Sequence, residues 1–488
     1  MGIVAKQGLY NSIWQYLGIL LGYVNTVLLF PIFLAPEEFG LTRVIWSAAT
    51  LSTTFALSGV QGALLKFYPK FKQSQENAKR FIATTFIMML VGLTLMLCLI
   101  FIFKPQINDW FRDNSELFPQ YFELMPLMFI YNGLFVYFEN YLRVHLRTSV
   151  PTFFRAVLLR LFWMLLITLV YLKIIDFDVF IYWYVHVLGI TLIILIGYAY
   201  PLFTKEFQFS FIPKKEFKPV LNFAFYAILG AGSGYLANYI DVIMVGGMID
   251  LKSAAVYSVA FYISSVISVP LNAISKVTTP IVSQLWKENN IEKLNRLYKQ
   301  TSNSMLLISL WIFLGIWSNI DNLFQILPPE YAEGKWVILF IALAKLYDAS
   351  FGINAQIIQF SEKFRWMLYF NVVMAVVVLI TNIMLIPVWG VTGAAFATFI
   401  SVLTLNTARL IFLKMQYGLF PFSANELKIL IIGSITFAVQ YFLPQWSLIT
   451  DIIIRSGVIS VVYFVMAYLL KTTPELNKFI AKHLNLKH

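Results

Sequence analysis

Cysteine occurs once in the 488 residues, as Cys98 inside an apolar run, so no internal disulfide can hold the fold. Histidine is nearly as scarce. His145, His186, His483 and His488 share no metal-ligand spacing, and no glycine-rich phosphate loop is present. A zinc site and a nucleotide-hydrolysing module are thereby excluded and no cofactor is expected, so any work the chain does is driven by an H+ or Na+ gradient or by substrate supply. Charged residues are only 12% of the chain, too few to solvate a domain of this length. No connecting loop is long enough to fold as a domain of its own.

What is abundant is apolar surface: 59% hydrophobic residues and a mean hydropathy of +0.75 describe an all-α polytopic membrane protein. Apolar runs of bilayer-crossing length number about fourteen: 9–34, 41–67, 81–103, 118–144, 153–171, 179–203, 220–245, 254–281, 302–320, 336–360, 366–386, 391–417, 427–443 and 449–470. Lys and Arg crowd into alternate loops. One set holds Lys70, Lys72, Lys79 and Arg80, then Arg143, Arg147 and Arg155, then Lys205, Lys214, Lys215 and Lys218, and so on to a tail with Lys478, Lys482 and Lys487. By the positive-inside rule these loops are cytoplasmic, as are both termini, and the net charge of +12 is a topological signal that implies no nucleic acid. The first run is too long for a signal-peptide core and reads as an uncleaved anchor.

Polar residues in these runs are ordered. On one stretch Asn222, Tyr226, Gly230, Ser233, Ala237 and Asp241 recur at helical spacing, and on the next Tyr257, Phe261, Ser264, Ser268, Asn272 and Ser275 do the same. At the start of the chain Asn11, Gln15, Gly18, Gly22 and Asn25 form a similar stripe, continued by Thr42, Trp46, Ala49 and Thr53. A membrane-spanning stripe of this kind must face protein or water, because lipid cannot hydrogen-bond it. Both pairs read as walls of a polar cavity. A shift of about 215 residues superposes them, placing Asn11 on Tyr226, Thr53 on Ser268 and Gln61 on Lys276, an internal repeat that predicts two related halves.

Two motifs carry a family resemblance. The turn Pro36-Glu37-Glu38-Phe39-Gly40 and the segment Asn382 to Pro387, followed by Gly390, Gly393, Ala394, Ala395, Ala397 and Thr398, resemble the polysaccharide-exporter branch of the multidrug/oligosaccharidyl-lipid/polysaccharide flippase superfamily. The resemblance implies two six-helix lobes, 1–203 and 220–417, joined by the basic connector 204–219, and followed by two extra helices and a tail, 418–488. It further implies a flippase of the bacterial inner membrane that moves polyprenyl-pyrophosphate-linked oligosaccharide outward by alternating access, for surface polysaccharide such as lipopolysaccharide O-antigen. Its partners would be that substrate, membrane lipid and polysaccharide polymerase or assembly proteins. A multidrug exporter or a lipid II flippase of the same fold are the alternatives, and a membrane polysaccharide polymerase or ligase is disfavoured by the short outer loops.

Ionisable residues inside spans need a reason, since each costs at least about 2.5 kcal/mol near the bilayer centre. Lys66, Arg155 and Lys276 lie near the basic ends, where snorkelling explains them as well as binding does. Arg160 and Lys345 are deeper. Lys345 precedes Asp348 by three residues and Glu139 precedes Arg143 by four, spacings that permit ion pairs, while Asp241 has no such neighbour. Together with the stripes, these residues define the candidate substrate cavity: Asn11, Gln15, Asn25, Thr53, Gln61, Lys66, Arg160, Tyr226, Ser233, Asp241, Tyr257, Ser268, Asn272, Lys276, Lys345 and Asp348. The topology is testable by single-cysteine labelling in a Cys98-free background. Cysteines at Ser74 and Lys214 should be reached only from inside the cell and cysteines at Asn108 and Asp321 only from outside; a reversal at any of them refutes the orientation.

Overall fold

A computed structural model describes residues 3–472, all helix and connecting turn, with no strand among them. The tail residues Lys478, Lys482, His483, Lys487 and His488 lie outside the described residues. By contact, the chain divides into two compact units, Met1–Ser258 and Val259–His488.

In the first unit, α1 (Ile3–Tyr23) runs into a π turn at Val24–Leu29 and a last helical turn at Phe30–Phe33. The chain breaks at Leu34 and restarts as α2 (Pro36–Phe71). Here the Pro-Glu-Glu-Phe-Gly motif explains itself. Pro36 needs no partner for its nitrogen in a first turn, Glu38 reaches back so that Ala35 N–H donates to Oε2 at 2.9 Å, and Phe39 is fully buried. Gly40 leaves room for backbone: a Cβ there would lie 1.8 Å from the Leu251 carbonyl oxygen.

Around α2 pack α3 (Gln75–Ile102), α4 (Leu124–Val144) and, along most of its length, α7 (Lys214–Met248). Between α4 and α7 come α5 (Leu159–Tyr171), entered through Ser149–Phe153 and a π turn at Phe154–Leu158, and α6 (Phe177–Glu206). Glycines let α2 and α7 approach closely: a Cβ on Gly59 would meet Ala224 Cβ at 2.8 Å, and one on Gly232 would meet the Phe55 ring at 2.8 Å. Buried hydroxyls on α2 turn inward on the helix itself, with Thr53, Thr54 and Ser58 donating to carbonyls four residues back at 2.8, 2.9 and 2.6 Å. At the basic end, the side chains of Tyr68, His145 and Glu206 tie α2, α4 and α6 together. Tyr68 Oη lies 2.7 Å from His145 Nε2, and Glu206 Oε2 lies 2.8 Å from the same nitrogen.

The second unit begins inside the helix Leu251–Ser265, which passes through a tight turn at Val266–Ser268 into α8 (Val269–Lys287). It continues with α9 (Ile291–Ser318), α10 (Lys335–Ser350), α11 (Asn354–Phe360), α12 (Trp366–Tyr417), α13 (Ala424–Val439) and α14 (Leu448–Leu469). The last two helices dock on α9: Tyr463 Oη donates to the Leu307 carbonyl at 2.8 Å, and Trp311 Nε1 donates to Ser460 Oγ at 2.9 Å. The amphipathic stretch 286–300, which from sequence reads equally as a surface helix or a plain connector, comprises the end of α8, a short turn and the start of α9. Its second half is the first turns of α9, because Leu294 and Tyr298 find a buried cluster with Ile353, Ile357 and Phe412.

Among the described residues nine helices are long and apolar enough to cross a membrane, or ten if α10 and α11, bent by 51°, form one span. The difference from fourteen apolar runs has physical causes. Runs 366–386 and 391–417 share α12, which is broken at Gly390, a residue at φ 58 and ψ −138. Its neighbour Gly393 lies where a Cβ would sit 2.2 Å from the Leu385 carbonyl oxygen, so the two arms of the break touch through backbone. Helix α13 has only 16 residues, and α2 and α4 carry buried polar groups along their length. The Gly40 contact makes a prediction. Gly40→Ala should lower the melting temperature of the detergent-purified protein by overpacking worth about 1–3 kcal/mol, whereas Gly197→Ala, with nothing within 4 Å, should not; equal melting of the two variants would contradict the packing.

Candidate functional site

Within the first unit a cavity of about 460 Å³ opens between α1, α4 and the helix that leads into α5. Its wall brings together Asn11 and Gln15 of α1, Glu139 and Arg143 of α4, and Arg155 and Arg160 beyond the turn at Ser149. Three guanidinium groups face one carboxylate. Glu139 spans two of them, with Oε1 3.4 Å from Arg143 Nη2 and Oε2 3.3 Å from Arg155 Nε. Arg155 also donates through Nη2 to Asn132 Oδ1 at 3.1 Å, and its guanidinium lies 4.6 Å from the Phe135 ring centroid. Asn132 in turn donates to Thr53 Oγ1 at 3.1 Å, so the stripe on α2 supports this wall from behind.

The two π turns build the pocket. Five residues separate Arg155 from Arg160, about 140° apart around a straight α-helix; the wide turn at Phe154–Leu158 puts both on the cavity. On α1, Asn25 sits in the facing π turn and donates to the Arg160 carbonyl at 2.9 Å. Gly18 and Gly22 give the Arg160 side chain its space, since Cβ atoms there would lie 2.7 Å from its Nη1 and 3.0 Å from its Cζ. Asn11 Oδ1 is buried on this wall without a hydrogen-bond partner. Such a wall, with a surplus of guanidinium and an unfilled amide acceptor, suits an anionic head that also carries hydroxyls.

Of the residues predicted from sequence, Asn11, Gln15 and Arg160 line this cavity, and Asn25 and Thr53 hold its wall. Arg155 reads from sequence as a residue that could simply snorkel, Glu139 and Arg143 as a local pair, and Asn132 carries no signal there; the π turn that unites them leaves no periodic trace. Elsewhere in the first unit, Gln61 is half-buried on α2, Lys66 Nζ lies 4.1 Å from the Phe223 ring, and Ser233 donates back to the Leu229 carbonyl at 2.7 Å. Asp241 is buried and accepts from Tyr257 Oη at 2.5 Å, the partner that its near neighbours in sequence did not supply. Tyr226 lines a different space, an apolar groove of about 1010 Å³ between α2, α3 and α7 that ends near Lys214. In the second unit Ser268 closes the turn before α8, and Asn272 and Lys276 are exposed on α8. Lys345 Nζ lies 5.0 Å from the Phe261 ring, and Asp348 accepts from Asn406 at 2.9 Å, which accepts from Asn354 at 2.8 Å.

A family model described as "Polysaccharide biosynthesis protein" matches residues 4–286, more than half of the chain. The chain belongs to this polysaccharide biosynthesis family. A second model, MatE, matches residues 227–388. One relative, a probable low-salt glycan biosynthesis flippase of Haloferax volcanii, is 22% identical over 188 residues, and the match spans 38% of this chain and only 40% of that protein. An uncharacterized membrane protein of Methanocaldococcus jannaschii is 21% identical over 467 residues, 88% of this chain and 87% of the relative. Among solved structures, the lipid II flippase MurJ in an inward closed conformation superposes with a TM-score of 0.77 at 14% identity, covering 95% of this chain and 98% of that one. An inward-facing multidrug resistance MATE transporter of the MOP superfamily gives 0.60 at 16% identity, covering 84% and 94%. These likenesses fix the fold of this family member as that of the MOP superfamily. Anion binding at the α1–α4 cavity is testable directly. With Cys98 replaced by Ser, inorganic pyrophosphate should slow thiol labelling of Thr152→Cys, and adding Arg155→Gln should weaken that protection about 10-fold or more; unaltered protection would remove Arg155 from the site.

Proposed function

We propose that this protein is a flippase, a transporter and not an enzyme, that moves a polyprenyl-pyrophosphate-linked oligosaccharide across the cytoplasmic membrane for surface polysaccharide synthesis. The observation that carries the reading is the α1–α4–α5 cavity, whose wall gathers the guanidinium groups of Arg143, Arg155 and Arg160 with the carboxylate of Glu139. A wall that carries more guanidinium than carboxylate attracts an anion through charge-assisted hydrogen bonds. A pyrophosphate is such an anion, and the amides of Asn11 and Gln15 on the same wall fit the adjoining sugar. The apolar groove between α2, α3 and α7 has the character required for a prenyl chain, which stays in hydrocarbon while its head crosses.

The cationic surplus speaks against the multidrug-exporter alternative, because a cationic drug needs carboxylates. Lipid II shares the pyrophosphate and prenyl chemistry, and the fold likeness to its flippase keeps that substrate as the second reading. In the proposed orientation the basic loops and both termini are cytoplasmic, the membrane is the bacterial inner membrane, the cycle alternates access under an H+ or Na+ gradient or precursor supply, and O-antigen-like polymer assembly proteins receive the product. Lys276, exposed one turn beyond Asn272, offers a further cation for capture.

Replacing Arg160 by Gln, or Lys276 by Gln, removes a charge-assisted contact and should weaken substrate capture about 10-fold to 100-fold. At wild-type membrane levels and limiting precursor, the Arg160→Gln cells should lose surface polysaccharide and accumulate lipid-linked oligosaccharide. Normal export together with a normal precursor pool would overturn the proposal, and accumulation of lipid II instead would select the second reading.

A further inference from the structure

The last two helices and the outer turns of the second unit build a pocket that the transport reading leaves without a role. It has a volume of about 490 Å³ and lies at the end of the unit opposite the basic loops, between the end of α9, the start of α10 and the turn from α13 to α14. Its floor is a clamped ion pair. Asp451, 4% exposed, accepts from Arg455 Nε at 2.9 Å and Nη2 at 3.0 Å, and from Asn322 Nδ2 at 2.5 Å. The same guanidinium holds the turn, donating through Nη1 to the Gln440 carbonyl at 3.2 Å and through Nη2 to the Pro444 carbonyl at 3.4 Å, while Trp446 N–H points to Asp451 Oδ1 at 3.4 Å. A buried pair of this kind contributes little net stability by itself. What it does here is fix a turn that presents side chains.

Those side chains are aromatic rings and amides. Trp317 and Trp336, with ring centroids 6.4 Å apart, and Trp446 supply flat apolar faces, and Trp336 is 56% exposed. The carboxamides of Gln325 and Gln445 lie on the same wall, and Ser318 Oγ is buried there without a hydrogen-bond partner. The titratable groups cancel, Asp321 and Asp451 against Lys335 and Arg455, with Lys335 Nζ 2.6 Å from Asp321 Oδ1. A neutral, rigid pocket that combines ring faces with groups able both to donate and to accept matches a sugar, whose ring carries apolar C–H faces and hydroxyls at its edge. It does not match an anion or a cation.

We infer that this pocket binds the glycan itself, holding sugar residues of the translocated oligosaccharide on the outer face. The inference rests on the flippase reading for its direction, since the end opposite the basic loops is where the head group emerges. Full-length protein in nanodiscs is mixed with the reducing oligosaccharide that mild acid releases from the lipid-linked pool of the same cells, and saturation transfer to sugar protons is recorded. The wild type should give saturable transfer to ring C–H protons, and Trp336→Leu or the turn variant Gln445→Ala should weaken it about 3-fold to 10-fold with an unchanged melting temperature. The signal should persist in Arg160→Gln, whose defect lies in export, so a failure of the transport reading and a failure of this pocket register in different assays. Equal transfer in wild type and both pocket variants, or displacement of the sugar by glycerol 3-phosphate as a lipid-headgroup mimic, would overturn the assignment and leave these rings as interfacial anchors.

Discussion

Hydrocarbon offers no hydrogen bonds, and that single fact organises the molecule. A polar side chain carried into a span has to find its partner within the protein, so most of those found there are tied up locally or gathered with others. Thr53, Thr54 and Ser58 show the first solution, folding their hydroxyls back onto α2. The wall of Asn25, Asn132, Glu139 and Arg155 shows the second, in which groups from three stretches of chain satisfy one another around a space large enough for a guest. A chain with so few charges has none to scatter, which is why their clustering carries functional weight.

That rule also explains how far the sequence could be read. Class and helix content follow from apolar run length alone, and the Asn11–Gln15–Gly18–Gly22 part of the stripe is visible because α1 is regular up to Tyr23. Arg160 stands out by depth. Arg155 does not, because its partnership with Arg160 depends on one wide turn, a local change of helical pitch that no fixed period detects. Tyr226 shows the opposite error. It shares the polar periodicity of its helix, yet its ring lies on an apolar groove, since a phenol is polar only at its tip. Asp241 and Tyr257 lie sixteen residues apart on consecutive helices, and only packing reveals that they meet.

The two units differ in how they treat water-seeking groups. The first concentrates cations on the wall of one cavity and keeps the separate groove between α2, α3 and α7 apolar. The second keeps its buried polar groups in small closed sets, such as Asn354–Asn406–Asp348 and Asn322–Asp451–Arg455. Its last helix, α14, is anchored to α9 through Tyr463 and Ser460, so the turn before it has a firm base.

The contact at Gly40 has a mechanical meaning. Where two helices meet through side chains, they can slide by exchanging rotamers; where a glycine meets a carbonyl, as Gly40 meets Leu251, there is nothing soft to exchange. Such a point behaves as a fulcrum. It pins the first turn of α2 against the start of the helix at Leu251, so that any tilt between those two turns pivots there and any slide is blocked.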